Sequence, residues 1–205
     1  NPYSSVTIQD DNFSLDRGRA KEICQYIIEE KIPLQFNCLS RADNLDIELL
    51  KLMRRANFKR VAVGLESSVP RNLRAIHKVT DGRRCGRDLS LEKKYVSTIK
   101  DLAEKMRKTG LNLEIIIITG LPGQSRKEAQ QTVAFVDKLK PFQCFHDFLT
   151  IYPGTALFQM RQKFGLDVVP AKTVLPFKTK FPFDVHKIKL SRYALTNYNF
   201  RETLI

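Results

Sequence analysis

The chain of 205 residues has few of the residues that build a self-contained metal or redox centre. It holds only four cysteines, Cys24, Cys38, Cys85 and Cys144, with no C-x-x-C pair and no metal-ligand spacing among them. That excludes a zinc ribbon or dithiol motif, and Cys24, Cys38 and Cys144 fit small core residues in helix or strand patterns. The three histidines, His77, His146 and His186, are isolated, with no partner at metal spacing, so structural roles are expected of them. No apolar run approaches the ~20 residues of a membrane span, and no signal-peptide pattern opens the chain. With scattered thiols this points to a reduced, cytoplasmic setting. The chain starts abruptly at Asn1-Pro-Tyr-Ser-Ser without an initiator methionine, and reads as an excerpt of something longer.

What is present is a globular composition, 42% hydrophobic and 28% charged, with a formal net charge of +13. One core is expected at this length. The positive charge favours phosphate-bearing partners without specifying one. Its densest run, Arg71 to Lys94, carries eight Lys/Arg against three Asp/Glu. Few aromatics interleave there, so stacking on single-stranded nucleic acid is poorly supported.

The chain is organised around residues 113 to 128. Ile115 to Ile118 lack polar–apolar alternation, as in a strand covered on both faces. Thr119-Gly-Leu-Pro-Gly123 ends it in a tight turn. Ser125 and Glu128 form a capping box that starts a helix, whose face continues through Ala129, Thr132, Val133 and Val136. Free N–H groups are expected at that helix start, suited to an anion or simply a βα turn.

The same alternation recurs. Strands are read at Val6–Gln9, Pro33–Ser40, Arg60–Glu66, Leu113–Thr119 and Gln143–Ile151. Helices follow each, with N-caps at Ser14 or Asp16 and at Asp46, Pro70 in a first turn, and a long helix closed by Gly110. A basic insertion falls at 79–90. Five βα units in this rhythm imply parallel strands with right-handed crossovers, in a partial barrel or an open doubly wound sheet. After Gly165 prolines 170, 176 and 182 break the pattern. That tail is expected to pack across the sheet edge or the barrel bottom, or to be partly loose.

Parallel βα folds gather ligand groups at the C-terminal strand ends. Those ends carry Asp10 and Asp11, Arg41, Glu66 and Ser67, Gly120 with Pro122 and Gly123, and Tyr152. The acids suit hydroxyls or an ammonium group and Arg41 suits a carboxylate. Helix capping is the alternative for Asp11, and with lower weight for Glu66. No residue stands out as catalytic, and none as a metal ligand.

Asp10-Asp-Asn-Phe13, Gly64-Leu-Glu-Ser67 followed by Leu73 and Lys78, Gly120-Leu-Pro-Gly123 with Glu128, and Tyr152-Pro-Gly-Thr155 occur in this order. Together they resemble the radical S-adenosylmethionine (radical SAM) superfamily, in its cobalamin-binding and methylthiotransferase-like branch, over residues 1 to about 164. The resemblance implies an α/β fold, a partial (β/α)6 TIM-like barrel without its first strand, over 1–164, with a C-terminal extension at 165–205. It implies S-adenosylmethionine at a [4Fe-4S] cluster, a small-molecule substrate, and cobalamin only with a further domain. Asp10 and Asp11 would then lie near the methionine moiety or substrate and Glu66 and Ser67 near the ribose. Gly120 to Gly123 would lie beside the adenine and the methionyl backbone, and Tyr152 at the adenine edge. The family's C-x-x-x-C-x-x-C loop is absent from these residues, and the four cysteines present cannot replace it. These 205 residues alone are therefore not expected to build the cluster. Two other readings compete: a decayed barrel that binds RNA or serves as a scaffold, and an unrelated barrel enzyme taking a phosphorylated metabolite at Gly120–Gly123.

Overall fold

The computed structural model describes residues 5–79, 88–165, 167–170 and 177–180. Most of the basic insertion, Cys85, His186 and the prolines and phenylalanines at 176 and 181–183 lie outside the described residues. Five parallel strands, β1 (Ser5–Ile8), β2 (Gln35–Ser40), β3 (Phe58–Glu66), β4 (Asn112–Thr119) and β5 (Gln143–Phe148), pair in sequence order. That order resolves the choice left by periodicity. A doubly wound sheet reverses at a switch point, whereas here each strand neighbours the next, giving a curled half-barrel of the TIM-like type.

The helices are α1 (Arg17–Glu29), α2 (Ile47–Arg55), α3 (Pro70–Ala75), α4 (Ser90–Thr109), α5 (Arg126–Leu139) and α6 (Ala156–Met160). Their starts follow local chemistry. Asp16, and not Asp11, caps α1 by accepting from Arg19 N at 3.0 Å. Asp46 caps α2, Pro70 occupies the first turn of α3, and Ser125 with Glu128 makes the full capping box of α5. Gly110 closes α4 at φ 72°, a left-handed conformation that glycine takes without a Cβ penalty.

The core lies between the sheet and these helices. Val61, Val63 and Leu65 of β3 and Leu113, Ile115 and Ile117 of β4 pack with Leu49, Leu50 and Met53 of α2, Ile99, Leu102 and Met106 of α4 and Val133 and Val136 of α5. The run of isoleucines is therefore not covered equally on both faces. Ile115 and Ile117 are fully buried, while Ile116 and Ile118 are only half-buried, because the opposite, concave face of a half-barrel stays partly open. β5 ends at Phe148, three residues short of Ile151, and Leu149 and Ile151 instead join Leu121 in a small apolar cluster. In the tail, β6 (Asp167–Pro170) pairs antiparallel with β7 (Phe177–Lys180), a hairpin that the broken proline pattern concealed. Among the described residues no helix is long and apolar enough to cross a membrane.

Candidate functional site at the strand tips

The tip of β3 is shaped by a register shift between Gly64 and Glu66, which sets Glu66 opposite Ile117 with a left-handed φ of 60°. The Glu66 side chain folds back over Gly64. A Cβ on Gly64 would lie 2.4 Å from Glu66 Oε1 and 2.8 Å from Lys78 Nζ, so only glycine leaves this space. Lys78 Nζ donates to Glu66 Oε1 at 2.9 Å. The other carboxylate oxygen, Oε2, is buried with no hydrogen-bond partner among the described residues. A buried acceptor without a donor is costly, and such groups ask for an explanation. Tyr95 backs the pair: its hydroxyl donates to the Gly64 carbonyl at 2.7 Å, and Arg41 and Lys78 each sit 5.8 Å from its ring centre.

Ser67 follows Glu66 but turns the other way. It is fully buried, its Oγ 3.1 Å from Thr132 Oγ1 on α5, and it accepts from Val69 N and Asn72 Nδ2. These bonds tie the loop after β3 to α5 and α3.

The β4 tip carries the glycine turn. Gly120 and Gly123 sit at φ 89° and 68°. Its amides are not free as expected: Gly120 N and Leu121 N both donate to Gln124 Oε1, at 2.8 and 3.3 Å. At the helix start Ser125 N donates to Glu128 Oε2 at 2.8 Å. The Gly120, Leu121 and Ser125 amides are thus already engaged within the chain. Gln124 is buried, and its Nε2 lacks a partner among the described residues. Pro122 is buried beside it and Gly123 is exposed. Gln124 is not among the residues that sequence position singles out, because its bond back to the turn depends on how tightly the turn closes.

The first two tips are arranged differently. Asp10 pairs with Arg19 at 2.5 Å, and Asp11 is exposed. Arg41 spends its fork on Asp43, at 3.0 and 2.8 Å, and donates to the Lys78 carbonyl at 3.1 Å. Asn12, also not singled out by its position, ties these tips together. Its Oδ1 accepts from Ser14, Ser40 and Arg41 N, and its Nδ2 donates to Asn44 at 3.0 Å. Tyr152 is 53% exposed; its backbone carbonyl accepts from Thr155, the N-cap of α6.

Two titratable groups of β5 border this arrangement: burial and the Glu66 carboxylate raise the pKa of Asp147. His146 is buried against Thr119, its Nε2 2.6 Å from Oγ1, and burial lowers its pKa to about 4. Burial raises the thiols of Cys24 and Cys144 to about 12 and pushes Cys38 up as well. Protonated, buried thiols on α1, β2 and β5 do not fit an iron–sulfur cluster, which needs thiolates on one open loop. Among the described residues no group of three or more His, Cys, Asp or Glu could hold a metal ion. The basic run is also partly spent internally. Arg71 pairs with Glu128, Arg74 with Glu92 at 2.5 Å, and Lys78 with Glu66. Nothing here favours a nucleic-acid surface.

The parallel half-barrel thus carries an acceptor-bearing tip with a glycine turn beside it and, among the described residues, no group that could hold a metal ion. A Radical SAM superfamily model matches residues 1–136, and the chain belongs to that superfamily. An uncharacterized methyltransferase of Pyrococcus horikoshii, PH0819, is 27% identical over 154 residues, which are 75% of this chain and 30% of that protein. The radical S-adenosylmethionine methyltransferase TsrM of Kitasatospora setae, solved with cobalamin and a [4Fe-4S] cluster, superposes with a TM-score of 0.68 at 18% identity. That match covers 83% of this chain and 34% of TsrM. Coproporphyrinogen III oxidase HemN of Escherichia coli superposes at 0.60, with 15% identity, over 85% of this chain and 36% of HemN. At these identities the structures attest the fold. The chain spans about a third of the length of each relative.

Proposed function

We propose that this chain supplies the S-adenosylmethionine-binding wall of a radical SAM enzyme that acts on a small molecule. The observation that carries this reading is Glu66, held by Lys78 on one oxygen and, among the described residues, without a donor on the other. A ribose offers two vicinal hydroxyls, and a fixed carboxylate is the acceptor such a pair selects. When bound, S-adenosylmethionine supplies an activated sulfonium centre. The chain's own part is to bind and orient. Glu66 accepts from the ribose, and the backbone of Gly120 and Gly123 with the Pro122 ring between them gives the adenine a flat wall. Asp11, exposed at the β1 tip, stands by for the ammonium group and Tyr152 lies at the adenine edge, while Asp10 and Arg41 are already taken by Arg19 and Asp43.

The iron–sulfur cluster does not fit the residues of this chain, so no step through it is assigned to them. Cobalamin and methyl transfer belong to the proposal only at the level of a longer protein, by likeness to TsrM. The test is calorimetry with S-adenosylmethionine on the protein and on its Glu66→Gln variant. Saturable binding weakened about tenfold or more by the substitution supports the reading, since a hydrogen bond to a charged group contributes about 1.5–3 kcal/mol. Absence of saturable binding, or equal binding by both proteins, overturns it.

A further inference from the structure

The hydrogen-bonded register of β3 and β4 ends where Glu66 meets Ile117. Past that point strand pairing no longer sets the β3 tip against the Gly120–Gly123 turn, although a ligand lying across both needs their spacing held. Two contacts take over. Inside, the Ser67 and Ser68 hydroxyls and Ser68 N converge on Thr132 Oγ1 of α5, and Thr132 in turn donates to the Glu128 carbonyl at 3.1 Å. Outside, the Arg71 guanidinium, on the first turn of α3, forks onto both Glu128 oxygens and donates to the Gly123 carbonyl at 3.1 Å. Glu128 also accepts from Ser125 N and Oγ. One side chain from the β3 side thus grips the glycine turn, the capping box and the helix start on the β4 side.

We propose that Arg71 is a positioning residue of the ligand wall: by clasping Glu128 and Gly123 it makes the Glu66 tip and the glycine turn one rigid unit. This rests on the reading of that wall as an S-adenosylmethionine site. Arg71 is 54% exposed, so the pair contributes little to global stability. Its geometry matters more, because a small misplacement of a binding group costs far more in function than in folding. Lysine cannot reproduce the clasp, having a point charge in place of a planar fork.

The experiment compares wild type, Arg71→Lys and Arg71→Ala of the full chain. Three quantities are read: hydrogen–deuterium exchange of the Gly120, Leu121, Gly123 and Gln124 amides without ligand, S-adenosylmethionine affinity, and melting temperature. Exchange is expected to rise severalfold in Arg71→Ala, with affinity down about tenfold and melting lowered by only a few degrees. Arg71→Lys is expected to behave more like alanine than like wild type. Unchanged exchange in Arg71→Ala overturns the clasp, as does full rescue by lysine. Faster exchange with unchanged affinity overturns its role in binding. A wild type that fails to bind S-adenosylmethionine overturns the proposed function instead, and the exchange data still decide whether the clasp exists.

Discussion

The β1–β2 side and the β3–β4 side of the half-barrel both end in charged residues, yet they use them in opposite ways. On the first side the Asp10 and Arg41 charges find neighbours of their own, and Asp11 is exposed. Asp10 takes Arg19, Arg41 takes Asp43, and Asn12 gathers the remaining donors. On the second side Gly64 clears a space, Glu66 bends into it and one carboxylate oxygen has no donor among the described residues. A charged residue at a strand tip is therefore not evidence of a ligand contact. What distinguishes the two sides is whether the local structure has already satisfied it.

The sharpest way to break this contrast is at Glu66. Replacing it with alanine is expected to weaken S-adenosylmethionine binding about ten- to hundredfold, as loss of a charged acceptor predicts. Gly64→Ala should approach the same loss by another route. The new Cβ meets the ends of Glu66 and Lys78, which are flexible enough to swing aside, so the fold survives while the carboxylate is displaced. Calorimetry with melting curves separates the two effects.

The next effect is on stability and comes from His146, packed beside the β4 tip. Unfolded, the imidazole takes up a proton below its ordinary pKa of 6.5; folded, it stays neutral down to about 4. Between those values the unfolded state holds more protons. Stability is thus complete at neutral pH and falls on acidification from 6.5 to 4, by roughly 2–3 kcal/mol. Urea titrations across this window should show that His146→Gln flattens the slope. A smaller loss, about 1–2 kcal/mol, is expected of Thr132→Val, which strands the buried Ser67 and Ser68 hydroxyls; denaturant midpoints measure it. Smallest of all are Asp10→Asn and Asp43→Asn on the first side. Their half-exposed ion pairs are worth about 0–1 kcal/mol, so neither stability nor affinity should move appreciably. A large loss of affinity from Asp10→Asn would erase the distinction between the two sides.

Much of the framework was legible because it depends on local rules. The capping box at Ser125 and Glu128, the Asp46 cap and the Gly110 stop each follow from residues within a few positions. The choice between barrel and doubly wound sheet was not legible, since it depends on which strands neighbour each other. Nor was the second face of the isoleucine run, because half-coverage reflects the curl of the sheet. The candidate site divided along the same line. Glu66 and the glycine turn could be picked out by position, but the inward turn of Ser67 depends on Thr132, 65 residues away. The loss of free amides in the turn depends on Gln124, whose side chain reaches back only because the turn is that tight. The hairpin of β6 and β7 went unseen because Pro170 sits within it, where a proline usually argues against a strand.

If the strand tips divide in this way, the ligand contacts the β3–β4 side. This is tested most directly by titrating the isotope-labelled protein with S-adenosylmethionine and following backbone amide shifts. The largest saturable shifts are expected at Gly64 to Ser67 and at Gly120 to Gln124, with Asp10 to Asn12 and Arg41 to Asn44 moving less. Shifts centred on Asp10 and Arg41, or no saturable shifts at all, would contradict it.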